Sequence, residues 1–130
     1  AVQIMRGLNR EEALTLLHFG GARSGTDAAK LIGLGVNAVV YGMSLALAVG
    51  GRIENGTVVF YGDVSEPDRA ERAELFLAAL RAEASIMPRC TGKTDISNLE
   101  PEDLRAISLV TAQVTGIPLA GFNPRLAQSA

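Results

Sequence analysis

Cysteine is almost absent from the sequence. Cys90 is the single cysteine among 130 residues. An internal disulfide needs two thiols, and a zinc site or iron–sulfur cluster held by this chain's own thiolates needs several. These sites are therefore excluded, no metal site is expected, and a reducing, cytoplasmic location is expected. A lone cysteine is usually an inert residue, so Cys90 is assigned no role.

Aromatic and basic residues are also scarce. Aromatic residues make up 5% of the chain, tryptophan is missing, and the net charge is -2 with both signs mixed. Nucleic-acid binding favours a basic patch and aromatic side chains, so no nucleic-acid partner is expected. Histidine occurs once, as His18, for which a structural role near a strand end is favoured over a catalytic one. With 48% hydrophobic residues, the composition is that of one globular domain with a modest core.

Charge is missing from residues 31–49, a stretch long enough to cross a bilayer as a helix. However, Gly33, Gly35 and Gly42 interrupt it, and residues 36–41 are rich in β-formers. Parallel strands that are covered on both faces also form continuous apolar runs. We therefore predict the end of a helix, a buried strand and a buried helix here, and no membrane association.

Two strand–turn–helix units occupy the first 50 residues. The first has a strand at Thr15–Phe19 and a helix over Asp27–Leu34 that ends at Gly35. The second has a strand at Ala38–Tyr41 and a short helix to about Val49. Two strands joined by such a helix form a right-handed parallel unit. The turns after both strands then emerge at the same edge of the sheet.

These two turns form a candidate anion-binding site. Glycine lets the backbone approach a ligand closely, and a helix start offers unpaired N–H groups and the positive end of the helix dipole. The candidate residues are Gly20, Gly21, Ala22 and Arg23 in the first turn, with Gly42 and Met43 in the second. Two alternatives stay open: the glycine pair is a tight turn without a ligand, and Arg23 is a solvated loop residue.

The second half of the chain predicts a hairpin and a long helix. Asn55-Gly56 indicates a β-hairpin over residues 51–62, because both turn positions need positive φ. A helix is predicted from the N-cap Ser65 to about Ser85, with Met87-Pro88 ending it. Its predicted apolar stripe is Ala73, Phe76, Leu77, Leu80 and Ala84, and its predicted solvated side is Arg69, Glu71, Arg72, Glu74, Arg81 and Glu83.

A last helix is predicted to open at Glu100-Pro101 and to end at Gly116. Its predicted apolar side is Leu104, Ile107, Leu109, Val110 and Val114. Residues after Gly121 are predicted to form a loosely ordered tail. The predicted organisation is thus 1–50 for the strand–helix units, 51–62 for the hairpin and 63–130 for a helical extension. Because the chain begins without an initiator methionine, we expect it to be a processed chain or a piece of a longer one.

Several stretches resemble the end of the FMN-binding synthase domain of the glutamate synthase family. They are Gly20–Gly25, Asp27–Lys30, Leu34–Val39 and Tyr41–Met43, with Cys90–Lys93 and Leu99–Arg105 resembling the C-terminal helices of standalone members. In this family the turns after the seventh and eighth strands of a (β/α)₈ barrel hold the flavin phosphate. The resemblance implies an α/β fold that comprises the last quarter of a TIM barrel, a β-hairpin and a helical extension. It places FMN at the six candidate residues.

The resemblance also implies an activity, the reductive amination of a 2-oxo acid. The ammonia would come from glutamine through an amidotransferase unit, or a related amine would replace it. The flavin carries out the redox chemistry, and protein groups bind and orient it. The sequence shows no evident acid–base pair, and His18 and Lys93 are the candidates that we name for proton transfer.

Two departures from the family pattern limit this prediction. Val49–Arg52 stands where glutamate synthases carry cluster-binding cysteines, and a complete barrel takes about 250 residues. Two parallel strands alone leave open edges and an uncovered face. We therefore expect docking onto the remaining barrel strands, on the same or another chain, or an oligomer. The alternative is a truncated, non-catalytic module that keeps only an anion site or a docking surface.

Overall fold

The computed structural model describes residues 2–10 and 13–122, so most of the predicted tail lies outside the described residues. The described part is a small α/β domain. Its helices are α1 (Val2–Gly7), α2 (Gly25–Gly33), α3 (Met43–Ala48), α4 (Glu66–Cys90) and α5 (Leu109–Thr115). Its strands are β1 (Leu17–Phe19), β2 (Ala38–Val40), β3 (Arg52–Glu54) and β4 (Thr57–Val59), and 3-10 turns cover Ile96–Asn98 and Pro101–Asp103.

The predicted parallel β–α–β unit is confirmed. Strands β1 and β2 pair in parallel, with Leu17 opposite Ala38 and Phe19 opposite Val40. At the other end of the pair, the Leu16 N–H donates to Asn37 Oδ1 over 2.8 Å. Both turns after the strands therefore lie at one edge, as the sequence predicted.

Residues 31–49 form the end of α2, strand β2 and helix α3 in the predicted order. The prediction that this strand and this helix are buried was wrong, because neither β2 nor α3 contains a buried residue. Among the helices within residues 2–10 and 13–122, none has the length and apolar character that a membrane span requires.

The hairpin of β3 and β4 is also confirmed. The two strands are antiparallel, and Glu54 pairs with Thr57 across the turn. Asn55 has φ 49° and Gly56 has φ 79°, as a two-residue hairpin turn requires.

Helices α2 and α4 pack closely against each other at Gly25. A Cβ atom at Gly25 would lie 2.4 Å from the Ala84 N and the Leu80 O of α4, so any other residue here would force the two helices to shift apart. The neighbouring core residues Ala28, Ala29 and Leu80 are buried. Small side chains at this contact let the two helices approach almost to backbone contact.

The prediction that Met87-Pro88 ends the long helix was wrong. Helix α4 passes through Pro88 and ends at Cys90. Proline removes only its own N–H bond and constrains the residue before it, so a helix can finish its last turn beyond it. Pro88 is fully buried, and its carbonyl accepts bonds from the N–H groups of Thr91 and Lys93.

The prediction that Arg69 and Glu83 belong to a solvated side of α4 was wrong. The Arg69 guanidinium donates to the carbonyls of Val49 (2.9 Å) and Tyr61 (2.5 Å) and stacks 5.0 Å from the Phe60 ring centroid. Glu83 bonds to the start of α2, as described below. Conversely, Leu77 of the predicted apolar stripe is 52% exposed. Helix periodicity gives the faces of a helix but not the partners of its charged residues.

The last predicted helix is only partly present. Pro101–Asp103 is an isolated 3-10 turn, and α5 begins later, where the Ser108 hydroxyl accepts the Thr111 N–H. Between them the chain is extended, because Ala106 forms a parallel bridge with Leu119. The predicted apolar side is accordingly divided. Leu104 is half-buried and faces Gly33, whereas Ile107, Leu109, Val110 and Val114 are exposed.

One face of the parallel strand pair is exposed and apolar. Leu17 is 64% exposed, Phe19 78% and Val40 38%. Alternate residues of a strand lie on the same face, and the register places Phe19 beside Val40. The described residues thus leave the face opposite the helices uncovered.

The Gly25 contact gives a stability prediction. Gly25→Ala should lower the free energy of unfolding by about 1–3 kcal/mol, because the new methyl group overlaps α4 backbone atoms. Thermal and denaturant unfolding measure the change. Gly62→Ala is the matched control, since no atom lies within 4 Å of its added Cβ. Equal stabilities of the two variants would contradict the close packing of α2 on α4.

Candidate anion-binding site

All six residues predicted for the anion site lie around one pocket. Its volume is about 470 Å³, and the two turns form its floor. Lining residues are Gly20, Gly21, Ala22, Arg23, Gly42, Met43, Ser44, Leu47 and Ile53. The sequence did not predict the last three. Ser44 and Leu47 follow from the start of α3, but Ile53 comes from the hairpin, whose placement beside the pocket no local signal indicates.

The first turn has a backbone that only glycine adopts readily. Gly20 has φ 93° and Gly21 has φ 79°, in the region where a side chain would be strained. An added Cβ on either glycine would meet no atom within 4 Å. The space above both glycines is therefore open to a ligand.

Three hydrogen bonds fix the remainder of this turn. Arg23 donates its N–H to Asp27 Oδ2 (2.9 Å), and Ser44 Oγ donates to the Ala22 carbonyl (3.0 Å). The Tyr41 hydroxyl donates to the Ser24 carbonyl over 2.7 Å. Two of these bonds come from the second strand–turn–helix unit, so the two turns are joined to each other.

Several backbone N–H groups of both turns have no partner among the described residues. The N–H groups of Gly21, Ala22, Gly42 and Met43 form no hydrogen bond to an acceptor in residues 2–10 or 13–122. Gly42 is the N-cap of α3 and supplies no side-chain cap. Unpaired N–H donors on two adjacent turns are suited to an anion.

The N-terminus of α2, in contrast, is already occupied. The Gly25 N–H donates to Glu83 Oε2 (2.9 Å), the Thr26 hydroxyl donates to Glu83 Oε1, and the Asp27 N–H donates to Ser24 Oγ (3.1 Å). The expectation that this helix offers unpaired N–H groups to an anion was therefore wrong. The positive end of the α2 dipole is already stabilised by the Glu83 carboxylate.

Both carboxylates near the start of α2 are stabilised in their charged form. The hydroxyl of Thr26 and then the N–H of Gly25 lower the pKa of Glu83 from its ordinary value of 4.5. The N–H of Arg23 does most to lower the pKa of Asp27 from 3.8. Two negative charges at this position disfavour a second anion there.

Arg23 is the charged residue that lines the pocket. Its side chain is exposed, and in the part of the chain that the structure describes it forms no ion pair. The other lining residues are apolar or uncharged, and the set contains no acid–base pair. The pocket can thus bind an anion through one guanidinium and several backbone donors, but its own side chains supply no proton transfer.

His18 supports the first turn. Its Nε2 lies 2.6 Å from the Gly20 carbonyl, and since a carbonyl only accepts, Nε2 donates. The ring lies outside the pocket, in a smaller hollow beside Asp27 and Lys30. This geometry favours the structural role over proton transfer.

Lys93 lies in a separate ion-pair cluster. Its Nζ donates to the Asn98 carbonyl (2.6 Å), Glu100 Oε2 (2.9 Å) and Asp103 Oδ2 (2.6 Å). The same Asp103 oxygen accepts the Glu100 N–H over 2.8 Å. The bond to Asp103 does most to raise the pKa of Lys93, and it also lowers the pKa of Asp103. Lys93 therefore holds the loop after α4, away from the pocket.

Cys90 and the acidic residues form no further site among the described residues. Cys90 is exposed at the end of α4 and outside the pocket. Among the described residues, no group of three or more His, Cys, Asp and Glu side chains is arranged to hold a metal ion.

These observations define an α/β unit whose two adjacent turns present backbone donors to one pocket. No family model matches the chain, and no solved structure matches it. A curated protein of Rhizobium meliloti (strain 1021), named glutamate synthase large subunit-like protein, is 30% identical over 150 residues of alignment. The alignment covers 93% of this chain and 34% of that protein, so the chain spans about a third of its relative's length. The chain is therefore related, in general terms, to a part of a glutamate synthase-like protein.

The Lys93 cluster gives a pH-dependent prediction. Lys93→Met should lower the melting temperature at neutral pH, since it leaves the largely buried Asp103 carboxylate without its cation. The lowered pKa of Asp103 adds stability that is complete above 3.8 and is lost as the pH falls through the lowered value. The raised pKa of Lys93 adds stability that is complete below 10.5 and is lost as the pH rises through the raised value.

The difference between wild type and Lys93→Met should thus be largest between these pH limits and should shrink in acid. Lys30→Met is the control, because Lys30 is exposed and forms no ion pair within the described residues. A difference that stays constant from neutral pH into acid would contradict the pairing of Lys93 with Asp103.

Proposed function

We propose that this chain supplies the FMN-phosphate site of a glutamate synthase-like oxidoreductase. The observation that carries the proposal is the convergence of Gly20–Arg23 with Gly42 and Met43 on one pocket with unpaired N–H groups. A phosphate monoester is a compact dianion with several acceptor oxygens, and it matches donors that come from two directions. The open space above Gly20 and Gly21 allows it to reach those donors.

The rest of the pocket suits the remainder of a cofactor of this kind. Met43, Leu47 and Ile53 give it an apolar wall beside the polar floor, and each is about half exposed. Cofactor pockets combine apolar walls with a few placed polar groups in this way. Arg23 at the rim would add charge attraction without closing the pocket.

FMN would supply the electron transfer in a reductive amination of a 2-oxo acid, with ammonia from glutamine or with a related amine. This chain would bind and orient the phosphate end of the cofactor. The residues that act on the substrate would lie in other parts of the assembly, because the lining set has no acid–base pair. The matched protein is about three times longer than the aligned stretch and so has room for such parts, whereas a glutamine amidotransferase unit would be a separate partner.

We further propose that β1 and β2 are the last two strands of a (β/α)₈ barrel. The support is their parallel pairing, the helices on one side and the exposed apolar face formed by Leu17, Phe19 and Val40 on the other. An interior face of a barrel is apolar and is covered by the other strands. The occupant of this face would be the remaining barrel strands, on the same or another chain.

A non-catalytic module is the second candidate function. The observation in its favour is that the pocket is lined largely by backbone and uncharged groups and contains no acid–base pair. Such a module would bind a phosphate ester equally well but would never acquire the rest of an active site. Yellow material with releasable flavin, in the complete assembly, separates the oxidoreductase from this alternative.

Phosphate recognition is tested by a matched pair of glycine variants. Gly21 and Gly92 share a φ of 79°, and neither has an atom within 4 Å of an added Cβ. Valine at either position should cause similar backbone strain, because β-branched residues avoid positive φ. Only Gly21→Val should weaken FMN binding, by at least about tenfold, since a tenfold change needs only 1.4 kcal/mol.

The measurement is amide NMR of the isotope-labelled chain within the complete assembly, which reports weak binding residue by residue. FMN should shift the amide signals of Gly21, Ala22, Gly42 and Met43, whereas riboflavin, which lacks the phosphate, should shift them much less. Unaltered amide signals at saturating FMN, or full FMN affinity in Gly21→Val, would refute the phosphate site.

The uncovered strand face gives a separate prediction. The isolated chain should self-associate in sedimentation experiments or unfold without cooperativity, because its apolar face is open to water. Phe19→Ser should reduce the association, whereas Leu75→Ser, at an exposed leucine of α4, should not. A wild-type chain that is monomeric and unfolds cooperatively would count against the barrel docking.

A further inference from the structure

Helix α4 contacts two groups that adjoin the first turn of the pocket. Glu83 accepts the Gly25 N–H and the Thr26 hydroxyl, at the residues that directly follow the turn. Phe76, two helical turns earlier, lies edge-on to Tyr41 with ring centroids 6.2 Å apart, and the Tyr41 hydroxyl donates to the Ser24 carbonyl. The turn is thus held by a helix that contributes no residue to the pocket lining.

We propose that Glu83 is a positioning residue for the phosphate turn, which it holds through the first residues of α2. This inference rests on the proposed function of the pocket. By bonding Gly25 and Thr26, the carboxylate fixes where the chain leaves the turn, and so where the N–H groups of Gly21 and Ala22 lie. A phosphate gains affinity from donors that are already in place before it binds.

Glu83 also determines which donors an anion can use. Its carboxylate occupies the N-terminal groups of α2, and Asp27 adds a second negative charge there. A phosphate approaching α2 would meet bonded N–H groups and like charge. The unpaired N–H groups of Gly21, Ala22, Gly42 and Met43 are left as the favourable site.

Two substitutions of Glu83 distinguish the effect of its hydrogen bonds from the effect of its negative charge. Glu83→Ala removes both acceptors, so the start of α2 and the turn before it lose their link to α4. Glu83→Gln keeps the side-chain length and one acceptor oxygen, and so can still accept the Gly25 N–H. If the hydrogen bonds of Glu83 position the turn, Glu83→Gln should retain most of the FMN affinity that Glu83→Ala loses.

The experiment measures FMN affinity by the same amide titration for wild type, Glu83→Ala, Glu83→Gln and the control Glu74→Ala. Glu74 is an exposed glutamate on α4 outside the pocket. Each titration is run below the melting temperature of its variant, so that a general loss of stability does not enter. Glu83→Ala should weaken FMN binding about tenfold, the effect of one lost hydrogen bond to a charged group.

Glutamine and the Glu74 control should remain within about threefold of wild type, less than one such bond. In Glu83→Ala the FMN-induced shifts of Gly21 and Ala22 should diminish first, because these residues adjoin the released segment. Unchanged affinity in Glu83→Ala, or equal losses in alanine and glutamine, would overturn the positioning role. Failure of the proposed function looks different: wild type itself would then show no FMN-dependent shifts in either turn.

Discussion

The near contact of the α2 and α4 backbones at Gly25 is the constraint on which the rest of the structure depends. Because no side chain separates the two helices, the first turn of α2 lies against α4, and its N–H donors need partners there. Glu83 supplies them from α4 itself. This contact thus places the start of α2 and, with it, the residue at which the preceding turn ends.

The two helices that follow the turns of the pocket differ in how their N-terminal N–H groups are capped. The start of α2 is closed by Ser24 and Glu83, whereas the start of α3 at Gly42 has no side-chain cap. The unpaired donors therefore concentrate on the glycine turn and on Gly42 and Met43. As proposed above, such a site would recognise an anionic group by its shape and charge and would contribute no reactive side chain, as the phosphate end of a cofactor requires.

Local signals predicted much of this architecture from the sequence. The Asn55-Gly56 turn, the Ser65 cap and the two strand–turn–helix units depend on neighbouring residues, and each was found at its predicted place. The same is true of the pocket floor, since adjacent parallel strands necessarily bring their following turns together. The errors involve distant partners. Pro88 continues α4, Ala106 bridges to Leu119, and Glu83 faces α2 rather than water, because contacts far apart in the chain decide these positions.

The contacts of Arg69 bear on the rigidity of the pocket. One guanidinium joins the carbonyls of Val49 and Tyr61 and stacks on Phe60, so it connects the end of α3, the residues after β4 and helix α4. The residues that follow the hairpin are therefore bonded to both α3 and α4 through Arg69. If the pocket binds a ligand as proposed, little conformational entropy would be lost when the ligand enters, and the association rate would be governed by diffusion and charge rather than by loop motion.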